Sequence, residues 1–339
     1  MKAMVLAGGL STRLYPLTKT VPKPLVPVLG EPNIAHVMRY LKRYGITEIA
    51  TNVFYFAEDI HRALGDGSRW GVHLTYLNER ELSGSAGAVR LMQQFLDSDP
   101  FVVIGCDDLT NLDLDALLDF HRRCGATATI GLVECDDVSE YGVVVLDGTG
   151  KVVGFQEKPA PGTERSRLVN TGVYVFSPAI FERIPAGEVY DFGKQVFPKL
   201  QEDGGAFYGF DARGAYWCDI GTIAEYRRVT NDLLCKRFTL PETDADWEAP
   251  DAMISRDANF EGPVWIGARA RIGPRALVIG PSVVGEDVLV ASGARVERSV
   301  LWASAVVGDG AEVRDSIIGA SYCVGTGRRV ANAVLASDA

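Results

Sequence analysis

Over roughly the first 135 residues, short apolar runs alternate with stretches whose apolar residues recur every three or four positions. The runs Ala3–Ala7, Glu48–Val53, Val72–Leu77, Phe101–Gly105 and Thr127–Val133 predict strands. Between them, Ile34–Tyr44, Glu58–Leu64, Ala86–Leu96 and Leu114–Cys124 predict amphipathic helices. Apolar strands alternating with helices imply an α/β domain with a mostly parallel sheet covered on both faces. From about residue 141 the pattern turns hairpin-like, with Val143–Leu146, a turn at Asp147-Gly148, and Val152–Phe155. A helix is expected from Ile223 to about Lys236.

Residues 241–251 hold five acids, two prolines and no base, which predicts a solvated linker, bounded at 239–262. Beyond it the period becomes six. Ile266, Ile272, Val278, Val284, Val290 and Val296 keep one phase; a five-residue step leads to Leu301, Val307 and Val313, and another to Ile318, Val324 and Val330. One aliphatic residue per hexapeptide predicts a left-handed parallel β-helix over 263–339, with about four coils. A β-sandwich would explain even spacing but not so long a phase. Glycine directly follows six of these twelve aliphatic positions, and is expected to allow the corner beside each. Stacked coils leave edges that a second copy can cover, so a homo-oligomer formed through this domain is expected.

A length of 339 residues fits about two domains. The net charge of −10 argues against a nucleic-acid partner. Six scattered cysteines with no C-x-x-C pair read as reduced thiols. Four histidines without H-E-x-x-H spacing leave oxygen ligands for any metal. The first apolar run is too short for a signal peptide, and no run approaches membrane-spanning length, so a cytoplasmic protein without a membrane partner is expected.

The first strand runs into Gly8-Gly9, then Ser11, Thr12 and Arg13. Glycine at a strand's carboxyl end lets backbone N–H groups approach phosphate oxygens. Neither a G-K-[ST] nor a G-x-G-x-x-G pattern is present. Lys23 stands between Pro22 and Pro24, which stiffen its backbone. Two cations on stiffened loops beside a glycine turn suit a triphosphate. Asp107 and Asp108 follow the strand FVVIG, where ligands bind in open α/β sheets. Asp113 precedes a helical run and is read as its N-cap.

The string G-G-x-S-T-R-L-x-P-L-T-x-x-x-P-K-P closely resembles the signature of the nucleoside-diphosphate-sugar pyrophosphorylases, or sugar-1-phosphate nucleotidyltransferases. The likeness continues through Gly84-Ser85-Ala86-Gly87, Tyr141-Gly142-Val143, Phe155 to Pro159, Asn170-Thr171-Gly172 and Trp217 to Gly221. With the hexapeptide tail it spans nearly the whole chain, and is greatest to the bacterial mannose-1-phosphate guanylyltransferases. It implies a Rossmann-like nucleotidyltransferase domain over 1–238. Many members have glycine where Ser11 stands, so a slightly altered loop is expected there.

By resemblance, Leu6, Ala7, Gly8, Gly9, Ser11, Thr12, Arg13, Glu79 and Gly84 bind the nucleotide. Gly142, Glu157, Lys158 and Asn170 bind the sugar phosphate, and Asp107 and Asp219 bind Mg²⁺, whose octahedral shell two carboxylates, phosphates and water suit. The implied reaction joins a nucleoside triphosphate to a sugar 1-phosphate, with Arg13, Lys23, Lys158 and Asp107 catalytic. A sugar-phosphate oxygen is already ionised near neutral pH, so no general base is needed. Glu79 aligns with a base-reading position; an ionised carboxylate accepts two adjacent N–H groups, as guanine presents, which points to GTP and, by resemblance, mannose 1-phosphate. Adenylyl, thymidylyl or uridylyl transfer to glucose 1-phosphate is the alternative within the family. A catalytically inactive nucleotide-sugar-binding paralogue would dispense with this set of charged residues. An acyltransferase would need a histidine near the coils, and all four precede them.

Overall fold

The computed structural model describes residues 1–97, 99–240 and 248–337. The chain forms two compact units: Met1–Leu10 with Val37–Asp219, and Ser11–His36 with the residues from Ile220 onward.

In the first unit, β1 (Lys2–Leu6), β2 (Glu48–Val53), β3 (His73–Asn78) and β4 (Phe101–Gly105) form the parallel half of a nine-stranded sheet. Ala3, Met4 and Val5 are fully buried, as are Phe101 to Ile104, which is why these strands read as unbroken apolar runs. Helix α1 (Gly84–Leu91) precedes β4. After it come β5 (Asp108–Thr110) and helix α2 (Leu114–Arg123), whose expected N-cap is present: Asp113 accepts from the Ala116 N–H at 3.1 Å.

The antiparallel part comprises β7 (Gly142–Leu146), β8 (Val152–Glu157) and β9 (Leu168–Phe176), with β6 (Ala128–Glu134) and β10 (Phe207–Asp211) paired beyond β9. A short ribbon joins β5 to β11 (Trp217–Asp219). The seven-strand path runs β8-β7-β9-β4-β1-β2-β3. β1 therefore has β2 on one side and β4 on the other, and the chain changes direction there. That is the switch point at which open α/β sheets hold ligands. Below it Phe176 stacks on Phe192 (4.8 Å between centroids) and Phe197 on Phe207 (5.2 Å), a rigid base for these strands.

In the second unit three five-stranded parallel sheets wrap the prism of a left-handed β-helix. All twelve predicted aliphatic residues lie in its core. Two expectations need correction. Strands Met253–Ile254 and Asn259–Glu261 already pair with Arg271–Ile272 and Leu277–Ile279, so the coils begin ahead of 263 and stack five deep. Ile254 and Phe260 keep the six-residue spacing and pair with the core residues Ile272 and Val278, but an exposed aromatic at 260 stands where the other repeats place a buried aliphatic residue. The acidic linker expected at 241–251 falls mostly on 241–247, outside the described residues.

The glycines also act differently from expectation. A Cβ on Gly267 would lie 2.8 Å from the Glu286 nitrogen, and one on Gly285 2.6 Å from the Leu301 carbonyl oxygen. They admit the backbone of the neighbouring coil, while corners are turned by left-handed residues such as Arg269, Asp287 and Ser304. One corner carries a buried ladder. Ser282 Oγ accepts from the Ser299 N–H, Ser299 Oγ from the Ser316 N–H, and Ser316 Oγ from the Ala333 N–H, each at 3.1 Å. Helix α3 (Ile223–Leu234) belongs to this unit, capped where Thr222 Oγ1 accepts from the Glu225 N–H. Among the described residues no helix is long and apolar enough to cross a membrane.

Candidate active site

Four parallel strands end together. Leu6 pairs with Asn52 of β2 and with Gly105 of β4, and Val53 pairs with Asn78. The residues just beyond these ends are Ala7-Gly8-Gly9, Glu79 and Asp107, all candidates from the sequence. The structure gathers them at the carboxyl edge of the sheet.

Asn52 organises the nucleotide end. Its Oδ1 accepts from the Ala7 N–H at 2.9 Å, and its Nδ2 donates to Glu79 Oε2 at 2.7 Å. A Cβ on Gly8 would lie 2.5 Å from Asn52 Nδ2 and 2.9 Å from Glu79 Oε2, so any other residue would push the Asn52–Glu79 pair aside. Glu79 Oε1 accepts from both the N–H (3.0 Å) and the hydroxyl of Ser83. Glu79 is thus no ordinary loop acid: it is half-buried and already holds three donors. Asn52 and Ser83 were not among the sequence candidates. A signal existed for Asn52, an amide next to the carboxyl end of a predicted strand, which the structure buries.

Gly84 opens α1 with φ +78°, and a Cβ there would lie 2.5 Å from the Tyr190 carbonyl oxygen. The next residue, Ser85, donates from Oγ to Asp191 Oδ1 (3.0 Å) and accepts from the Phe192 N–H (3.0 Å). Gly193 comes next along the chain, and a Cβ on it would lie 2.7 Å from Glu157 Oε2. Ser85, Asp191 and Gly193 thereby connect the nucleotide end to the sugar end.

At the sugar end Glu157 closes β8 opposite Gly142, the first residue of β7. A Cβ on Gly142 would lie 3.2 Å from Glu157 Oε2, so the carboxylate is cradled between two glycines. Burial raises the Glu157 carboxyl above its ordinary value; Lys158 and Lys194 oppose this and Asp191 reinforces it. Lys158 takes a left-handed conformation (φ 44°) and its Nζ lies 3.6 Å from Glu140 Oε2 on the open side. A non-glycine residue held there stores local strain of the kind found at functional positions. Asn170 sits where the β9 register shifts; its Nδ2 donates to Tyr174 Oη and its Oδ1 accepts from the Gly172 N–H, both at 2.9 Å.

The two neighbouring aspartates have different surroundings. Asp108 is 7% exposed, accepting from the Gly105 N–H (3.0 Å) and the Trp217 indole N–H (3.1 Å). Gly172 packs against the same carboxylate. Asp108 therefore binds β4, β9 and β11 together. Asp107 remains half-buried at the strand end, and Asp219 closes β11 one residue from it in register, opposite Asp108. Hard carboxylate oxygens of this kind fit Mg²⁺. No group of three or more potential ligands occurs among the described residues, so phosphate and water would complete such a shell.

The remaining candidates belong to the second unit. Ser11 adopts φ 54° and ψ 39°, the left-handed region glycine enters freely, and the buried Thr18 hydroxyl donates to its carbonyl at 2.7 Å. Serine here holds a conformation that glycine enters freely, at a cost of about 1–2 kcal/mol. Thr12 and Arg13 follow in one 3₁₀ turn, and Lys23 opens another after the extended Pro22. His121 is buried between the hydroxyls of Thr129 and Ser177, and burial, helped by Arg122, pushes it down to about 4.

Comparison with known proteins agrees with this arrangement. The nucleotidyl transferase family matches residues 2–236, and the GMPPB C-terminal domain matches residues 260–339. A UTP–glucose-1-phosphate uridylyltransferase of Synechocystis sp. is 38% identical, covering 89% of this chain and 83% of that protein. A mannose-1-phosphate guanylyltransferase of Mycobacterium tuberculosis is 33% identical, covering 88% and 79%. A Bacillus anthracis structure solved under the name glucose-1-phosphate thymidylyltransferase superposes with a TM-score of 0.61 at 28% identity, covering 68% of this chain and 94% of that one.

Proposed function

This chain belongs to the nucleotidyl transferase family and is a sugar-1-phosphate nucleotidyltransferase, and we propose that it transfers a guanylyl group from GTP to mannose 1-phosphate. The observation carrying the choice of base is Glu79, a half-buried carboxylate beside the Gly8 turn, aimed by Asn52. Guanine would offer N1–H and N2–H to its two oxygens once the Ser83 hydroxyl turns away. Uracil and thymine offer one such N–H, and adenine no ring N–H on that edge. The rejected base leaves a buried acceptor poorly matched, a difference of about 1–3 kcal/mol. The relatives named as guanylyltransferases and the match of the tail to the GMPPB C-terminal domain support the same reading.

A phosphate oxygen of the sugar 1-phosphate attacks the α-phosphorus in line and pyrophosphate leaves. The nucleophile needs no deprotonation, so rate comes from orientation and from charge placed around mutually repelling anions. In this reading the backbone at Ala7 to Gly9 approaches the phosphates, and Arg13 and Lys23 neutralise the triphosphate and the departing pyrophosphate. Lys158 holds the attacking phosphate, while Glu157, Gly142 and Asn170 engage sugar hydroxyls. Asp107 and Asp219 would hold Mg²⁺, which supplies charge neutralisation between the reacting phosphates. The enzyme works as a homo-oligomer joined through the β-helix.

The Synechocystis relative favours a second reading, uridylyl transfer to glucose 1-phosphate. One assay decides between them: kcat/KM for GTP, UTP, ATP and dTTP with mannose and glucose 1-phosphates, in wild type and Glu79→Gln. GTP should lead by about 5- to 150-fold, and Glu79→Gln should erase most of that lead. A preference for UTP, or a GTP preference untouched by the substitution, overturns the role of Glu79.

A further inference from the structure

The loop that carries Lys23 is anchored to the β-helix by two buried side chains. Tyr226 of α3, 1% exposed, donates its hydroxyl to the Pro27 carbonyl oxygen at 2.6 Å. The indole N–H of Trp302, 4% exposed, donates to that hydroxyl oxygen at 2.9 Å. Trp302 directly follows Leu301, one of the core residues of the coils. Burial pushes the Tyr226 phenol above its ordinary value, so it stays protonated and its proton stays available to Pro27. A buried relay thus runs from coil to helix to loop.

Packing alone does not hold this loop. Val21, Leu25, Leu29, Val283 and Val300 line a cavity of about 210 Å³ beside the relay. Side chains facing a void lose the dispersion contacts that would fix their position. Beside the void the loop is fixed by the buried Val26 and Val28, by the Trp265 ring packed over Gly30 and, on the side of the coils, by the bond to Pro27. Movement at Pro27 reaches Lys23 along a stiff path. Val26 N–H donates to the Lys23 carbonyl (3.1 Å), Leu25 N–H to the Pro22 carbonyl (2.8 Å), and prolines stand at 22, 24 and 27.

We propose that Tyr226 and Trp302 are positioning residues for Lys23, so that the β-helix sets the placement of a cation on which turnover depends. The inference rests on the reading of Lys23 as a triphosphate-binding cation. Misplacing a charged group by an ångström or less costs rate more than substrate affinity.

The test is a double-mutant cycle on the full chain, assayed by pyrophosphate release, with folding checked by circular dichroism. Tyr226→Phe removes only the hydroxyl and should lower kcat about tenfold, with KM for the sugar 1-phosphate within about twofold of wild type. Trp302→Phe keeps the bond to Pro27 and should lower kcat about threefold in the same pattern, which covers the case of a poorly folded Tyr226→Phe protein. In a Lys23→Met background neither substitution should lower kcat further. Full turnover in Lys23→Met would refute the role of Lys23 and the inference with it. A loss in Lys23→Met combined with wild-type kcat in both aromatic variants, or with losses that multiply, would refute the positioning role alone.

Discussion

Replacing Asp107 or Asp219 by alanine should lower turnover at least about a hundredfold while leaving the fold intact, because electrostatic stabilisation in such sites is worth several kcal/mol. Both carboxylates sit at strand ends and neither closes the sheet: Asp107 is half-buried beyond β4, and Asp219 ends the short ribbon with β5. Asp108 is the internal control. Its carboxylate satisfies the Gly105 N–H and the Trp217 indole, so Asp108→Ala should cost about 2–4 kcal/mol of stability by leaving buried donors unpaired. Initial rates over a Mg²⁺ titration, beside urea unfolding curves, separate the two effects. Near-normal Mg²⁺-dependent rates in Asp107→Ala would remove it from the metal site.

The second large effect lies in the tail. Val290 is fully buried, stacked between Ile272 and Val307 in consecutive coils. Val290→Asp places a carboxylate where no partner exists in an aliphatic core, and should destabilise the coils by more than about 4 kcal/mol. Since each coil rests mainly on its neighbours, the damage spreads along the stack. If the stack joins subunits, the variant should also dissociate, visible by light scattering at micromolar concentration. Wild-type protein that is already monomeric there, or an oligomer that survives removal of everything after residue 250, would rule out association through the β-helix.

The two halves differ in how much they declare in advance. The coils were legible because an aliphatic residue returns to the same axis at every sixth position, with only two five-residue steps between Ile266 and Val330. The glycines beside those residues misled for a physical reason: a sequence displays each residue's neighbours along the chain, never the atoms across from it, and the backbone facing Gly267 belongs to the next coil. The same limit hid the clamp of Asn52, Glu79 and Ser83, whose members come from a strand and a later loop. Strand ends were readable, and with them Gly8 and Asp107, because apolar runs stop where ligands begin. Asp108 had no assigned role until Trp217, over a hundred residues away, appeared against it.

The serine ladder bears on how such a stack avoids growing without limit. Ser282, Ser299 and Ser316 each hand an oxygen to the next coil, and Ser299 and Ser316 are both guest and host. Ala333 takes the last of these bonds and, having no hydroxyl, offers nothing onward. At this corner the template is not copied again. A prism laid end to end on a second copy would find the inner seam of the joint mute, and filament formation loses one of the contacts that would pin its register.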